Sequence, residues 1–169
     1  MGLDILLLVL VIIHSSMIGL GIGASTIAIT GFMTALMDGT FDESERRIMG
    51  VVYLSLRIAM IAIVASSLAI MWIKPEFFGS FTTPMWIMIA VLFVNAFLMT
   101  KHWISVKLGP AFQAGTWYTL GFFITIYIFD LLPFTLASFG ITYVIDLVVA
   151  VVIVELFMRY FKGRRATQT

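Results

Sequence analysis

Residues 5–37 contain no Asp, Glu, Lys or Arg. At 1.5 Å per residue, a helix of that length covers about 50 Å, against a bilayer core of about 30 Å. A helix that is apolar all round lies in a large core or in a membrane. With several further long apolar runs in only 169 residues, no water-soluble core could enclose them all. Charged residues make up 11% of the chain, where soluble domains carry about 25%. Mean hydropathy is +1.11. The fold expected is all-α: an integral membrane five-helix bundle.

The breaks between runs place the helices at about 3–37, 44–73, 84–106, 111–132 and 134–161, leaving 162–169 as a polar tail. Asp38-Gly39 is a turn pair. Asp42 and Glu45 have the spacing of a capping box, in which Asp42 caps and Glu45 reaches back. Lys74-Pro75-Glu76 cannot continue a buried helix, and Pro84 suits a first turn. Gly109-Pro110 and 130–133 are short connections, which imply antiparallel neighbours. The first helix is longer than a bilayer is thick, so it must tilt, bend or project.

Charge placement orients the bundle. Arg46, Arg47, Lys101, Lys107, Arg159, Lys162, Arg164 and Arg165 fall at one end, and only Lys74 at the other. The positive-inside rule then places the N-terminus outside and the C-terminus in the cytoplasm. Trp72 and Trp86 become outer anchors, Trp103 and Tyr160 inner ones. The first charge is Asp4, with no Lys or Arg ahead of the apolar run, so the first helix is read as retained rather than as a signal peptide.

Several functions are excluded or disfavoured. The chain has no cysteine, which removes disulfides, thiolate nucleophiles and iron–sulfur clusters. A net charge of +1 carries no nucleic-acid signal. No activated nucleophile or metal-ligand cluster is visible, so hydrolytic chemistry is not expected. The partners expected are the lipid bilayer and either a second copy or another membrane subunit.

Polar residues within the apolar runs supply the candidate sites. Ser15, Gly19 and Gly23 recur every four residues, as do Gly21 and Ser25; small residues at that spacing form helix-packing seams. His14 lies about 16 Å along from Leu3, near mid-membrane if that end marks the boundary. Arg57 and Asp146 fall at matching depths on the second and fifth helices. An unpaired charge there costs about 2.5–3.5 kcal/mol on insertion scales, so an ion pair between them is expected. Tyr53 shares a face with Arg57, and Tyr143 shares one with Asp146. With Asn95 on the third helix, His14, Arg57 and Asp146 would form one mid-membrane polar layer. Glu155 and Arg159 form an i, i+4 pair of structural character. The tail, rich in Lys and Arg, suits anionic lipid.

The segments IHSSMIGLGIGAS, DGTFDESERR, KHWISVKLGP and GTWYTLGFF resemble those of small prokaryotic polytopic membrane proteins. More distantly, the chain is similar to CopD-like and cytochrome-b-like helical bundles. That resemblance implies a prokaryotic cytoplasmic membrane and a possible haem b. It makes His14 and His102 candidate ligands. Two histidines allow one bis-histidine haem, or a His–Met site.

Three functions follow as expectations. The leading one is a small transporter or proton- or ion-translocating protein using the polar layer. The second is a haem-binding redox protein with His14 as axial ligand. The third is an accessory subunit whose buried charges specify assembly.

Overall fold

The computed structural model describes residues 2–38, 42–101, 103–104, 108–129 and 135–166. Five helices account for most of them: α1 (Gly2–Asp38), α2 (Glu43–Ile73), α3 (Thr82–Thr100), α4 (Gly109–Ile128) and α5 (Leu136–Ala166). Four of these, α1, α2, α3 and α5, carry stretches long and apolar enough to cross a membrane. The chain is thus an all-helical protein of membrane character.

α2 starts as its sequence requires. The Asp42 carboxylate accepts the Glu45 backbone N–H at 2.6 Å, and the Glu45 carboxylate accepts the Asp42 N–H at 3.0 Å. Two boundaries differ most from expectation. α3 ends at Thr100 rather than near 106, with Lys101 as its C-cap. α5 continues to Ala166, so most of the basic tail is helical. Lys and Arg are good helix formers and favour a helix C-terminus, where they complement the macrodipole.

α1 and α2 pair antiparallel through a heptad-type seam. The buried positions of α1 include His14, Ile18, Gly21, Ser25, Ala28 and Phe32, in steps of four and three. Those of α2 include Met49, Val52, Leu56, Ala59, Ile63, Ser66 and Ile70 in the same rhythm. The α1 row serves more than one neighbour: His14 bonds Ser66 on α2, Gly21 meets Trp117 on α4, and Phe32 packs with Ala111 and Val154.

The connection from α2 to α3 folds back over the bundle end. A 3₁₀ turn, Gly79–Phe81, follows Lys74, and Phe78 and Phe81 are buried. Tyr127 stacks on Phe81 and donates its O–H to the Phe77 carbonyl at 3.0 Å. Gly79 sits at φ +46°, in the left-handed region that favours glycine.

α4 is the hub, packed against α1, α3 and α5. Ala111, Gln113, Ala114, Thr116, Trp117, Thr119, Leu120 and Phe123 are all buried. Its Gln and Thr residues explain why it falls short of the other helices in apolar character. Most of its surface packs against its neighbours, and Tyr118 and Phe122 are exposed.

Candidate functional site

The expected seam on α1 divides between two faces. Gly21 lies directly against the Trp117 ring, and any side chain there would overlap it. Ser25 is buried one turn further on. Gly19 and Gly23 have open space where a Cβ would sit, and Ser15 is exposed. Residues two apart on a helix point to nearly opposite sides, so only one of the two rows can meet α4. The packing seam is the Gly21 row; the Ser15, Gly19 and Gly23 row is not part of it.

Facing pairs set the level of each helix. His14 meets Ser66, and Gly31 approaches Met49, which puts Arg57 level with about Gly23. Ser67 beside Met85 puts Arg57 level with about Asn95 on α3. Asn95 bonds Thr116 on α4, and one turn along α4 Thr119 bonds Asp146 on α5. Arg57, Asn95, Thr116 and Asp146 therefore share a tier. His14 lies about nine residues, roughly 14 Å, nearer the Lys74 end. The expected layer loses this member because depth was counted from the end of a helix that is longer than a bilayer is thick.

His14 is 2% exposed. Ser66 Oγ lies 2.7 Å from the Ala62 carbonyl, to which it donates its only proton. His14 Nδ1–H then donates to Ser66 Oγ at 3.0 Å, which leaves Nε2 as an acceptor. Nε2 is enclosed without a polar partner, and the ring packs 5.5 Å from that of Phe78. An axial haem ligand needs its nitrogen to face a slot that admits a porphyrin. In this packing Nε2 of His14 is enclosed beside Phe78 rather than open to a ligand. His102 lies outside the described residues. Among the described residues no three His, Asp or Glu side chains gather as a metal site.

The tier of Arg57 and Asp146 is split by α4. A cavity of about 320 Å³ lies between α2, α3 and α4, with Tyr53, Arg57, Met60, Met99 and Gln113 among its walls. A second, of about 370 Å³, lies against α1, α4 and α5, with Ile29, Gly115, Tyr118 and Asp146 among its walls. The expected Arg57–Asp146 ion pair is therefore absent: the two side chains border different cavities on different sides of α4. The ion pairs seen between described residues, Arg47–Glu43 and Arg159–Glu155, are exposed i, i+4 pairs of little energetic weight.

Hydroxyls on α4 take over the linking role. Thr116 donates to the Phe112 carbonyl at 2.8 Å, accepts Asn95 Nδ2–H at 3.1 Å, and accepts the Tyr143 O–H at 3.2 Å. Its single proton and two lone pairs are all used, and α3, α4 and α5 are tied through one atom. Three residues further on, Thr119 Oγ1 lies 2.7 Å from Asp146 Oδ2 and 2.8 Å from the Gly115 carbonyl. Tyr118, beside the Asp146 cavity, donates to Thr26 at 2.6 Å, because Thr26 spends its own proton on Ile22.

Gln113, Thr116 and Thr119 were not singled out from the sequence. A signal for them did exist: three polar side chains at steps of three, inside the one of the five helices without a stretch apolar enough to cross a membrane. Comparison of the chain with protein-family models, with curated proteins and with solved structures finds no match.

Proposed function

We propose that this protein translocates protons across the membrane, and that Asp146 is the group that changes state. The observation that carries this is the setting of Asp146. It stands at the central polar tier beside a cavity, and its hydrogen-bond partner is a neutral hydroxyl, not a cation. Ionisable side chains at such depth usually mark ion or proton pathways.

Thr119 suits both states of the carboxyl. It has one proton and two acceptors in reach, Asp146 Oδ2 and the Gly115 carbonyl. When Asp146 is ionised, Thr119 donates to it. When Asp146 is protonated, the acid donates to Thr119, and Thr119 turns its proton to Gly115. Each state leaves a satisfied set of hydrogen bonds, so exchange between them strands no buried group. In this reading the N-terminus is outside, supported by the eight Lys and Arg gathered at one end against Lys74 at the other. α4 is the fifth span, shielded by its neighbours.

Proteoliposomes loaded with a pH-sensitive dye test the proposal. The parent protein should dissipate an imposed pH gradient. Asp146→Asn should abolish that flux while keeping the Thr119 contact, and Thr119→Val should slow it. Flux through Asp146→Asn equal to that of the parent would sink the assignment.

A further inference from the structure

We infer that the cavity between α2, α3 and α4 is a binding site for a small monocarboxylate that carries a hydroxyl group on an apolar body. This goes beyond proton movement at Asp146, which borders the other cavity. Three features of the site select the ligand.

The first is charge. Among the described residues Arg57 is the one charged side chain lining the cavity, and no carboxylate among them pairs with it. Its planar fork matches a carboxylate with two parallel hydrogen bonds. One guanidinium balances one negative charge, which favours a carboxylate over a phosphate dianion. The Tyr53 hydroxyl, one turn away on α2, adds a neutral donor at the same wall.

The second is an unmet acceptor. Gln113 is 5% exposed and lines the cavity, yet its Oε1 is buried with no hydrogen-bond partner. Leaving such a group unpaired is costly, so it marks a place for a donor. Among the described residues no carboxylate borders the cavity to receive an ammonium. The donor that fits is therefore uncharged, a hydroxyl in place of an amine.

The third is shape. Leu56, Met60, Ala96, Met99 and Ile104 supply apolar walls. A volume of about 320 Å³ is at the small end of the range for ligand sites, roughly 300–1,000 Å³. It suits a compact branched body. Met60 and Met99 are flexible enough to adjust around it.

Isothermal titration of the full-length protein in phosphatidylcholine nanodiscs tests the site with four compounds. Leucate has the carboxylate, the hydroxyl and a branched apolar body. Isocaproate lacks the hydroxyl, leucine replaces it with an ammonium, and inorganic phosphate lacks the body. Leucate should bind saturably, with isocaproate and leucine several-fold weaker and phosphate not binding. Arg57→Gln should weaken leucate by about tenfold or more, the cost of losing a charged hydrogen-bonded contact. Gln113→Leu should bring leucate down to the affinity of isocaproate and leave isocaproate within about twofold. Asp146→Asn should leave leucate binding unchanged, so failure of this site and failure of proton movement read out separately.

Leucate bound equally by Arg57→Gln and the parent would overturn the inference. So would a leucate preference that survives Gln113→Leu, or binding of phosphate in place of leucate. Displacement of leucate by phosphatidylglycerol in mixed nanodiscs would assign the cavity to a lipid headgroup and overturn it likewise. If Arg57→Gln does not fold, Arg57→Lys keeps the charge and loses the fork. Several-fold weaker leucate binding there supports the site, and parental affinity overturns it.

Discussion

α1 and α4 invert the relation between polarity and burial that holds in water. α1 is strongly apolar, yet Leu3, Leu6, Leu8, Ile12 and Ile27 are exposed along it. α4 carries Gln113, Thr116 and Thr119, and all three are buried. In a bilayer the solvent is apolar, so leucine faces out and polar groups turn inward to find partners. Hydropathy therefore reports which helix faces lipid, and it under-reports the helix at the centre. What holds α4 is close backbone approach and shared hydroxyls, rather than a strongly apolar face.

The sharpest test of that contrast sits where the two helices touch. Gly21→Leu must displace the enclosed Trp117 ring or push α1 from α4. Overpacking typically costs about 1–3 kcal/mol, and a rigid, fully buried ring puts this case at the upper end or beyond. Gly23→Leu places the same side chain in open space on the exposed side of α1. It should stay within about 0.5 kcal/mol of the parent, helped by leucine's better helix propensity. Thermal melts in detergent of the two variants should separate widely. Equal melting would mean that α1 and α4 do not meet as described.

A smaller effect is expected from the hydroxyl that ties α4 to its other neighbours. Thr116→Val keeps the shape and removes the oxygen. Asn95 and Tyr143 then each lose their partner on α4. Interhelical hydrogen bonds in membrane proteins average about 0.6 kcal/mol, so losing two should cost about 1–2 kcal/mol. Denaturation in mixed micelles measures it. No loss would mean that the contact between α4 and its neighbours rests on packing alone.

These contrasts also show what the sequence made legible. The capping box at Asp42 and Glu45 and the five helices could be read from it. Each depends on distance along one helix, and helix rise converts residue number into depth. Azimuth is different. Whether Gly19 or Gly21 faces a neighbour, or whether Arg57 and Asp146 point at each other, depends on which helices stand beside which. Four-residue spacing identified two glycine rows without choosing between them. What chooses is the Trp117 ring on α4, which lies against Gly21 and leaves Gly19 and Gly23 in open space.

The smallest expected effect is a null, and it bears most directly on how α4 divides the bundle. Arg57 and Asp146 share a depth, and depth alone suggests an ion pair. If they paired, removing either would strand the other, and the double variant would recover stability. With α4 between them, each loss is independent. Arg57→Leu removes a side chain at the rim of one cavity, and Asp146→Leu removes the Thr119 contact beside the other. Their coupling energy, from melts of the two single variants and the double, should lie within about 0.5 kcal/mol of zero. Coupling of about 2 kcal/mol or more would place the two side chains in contact. It would also remove α4 from between them, and with it the distinction between a carboxylate site and a guanidinium site on which both functional readings depend.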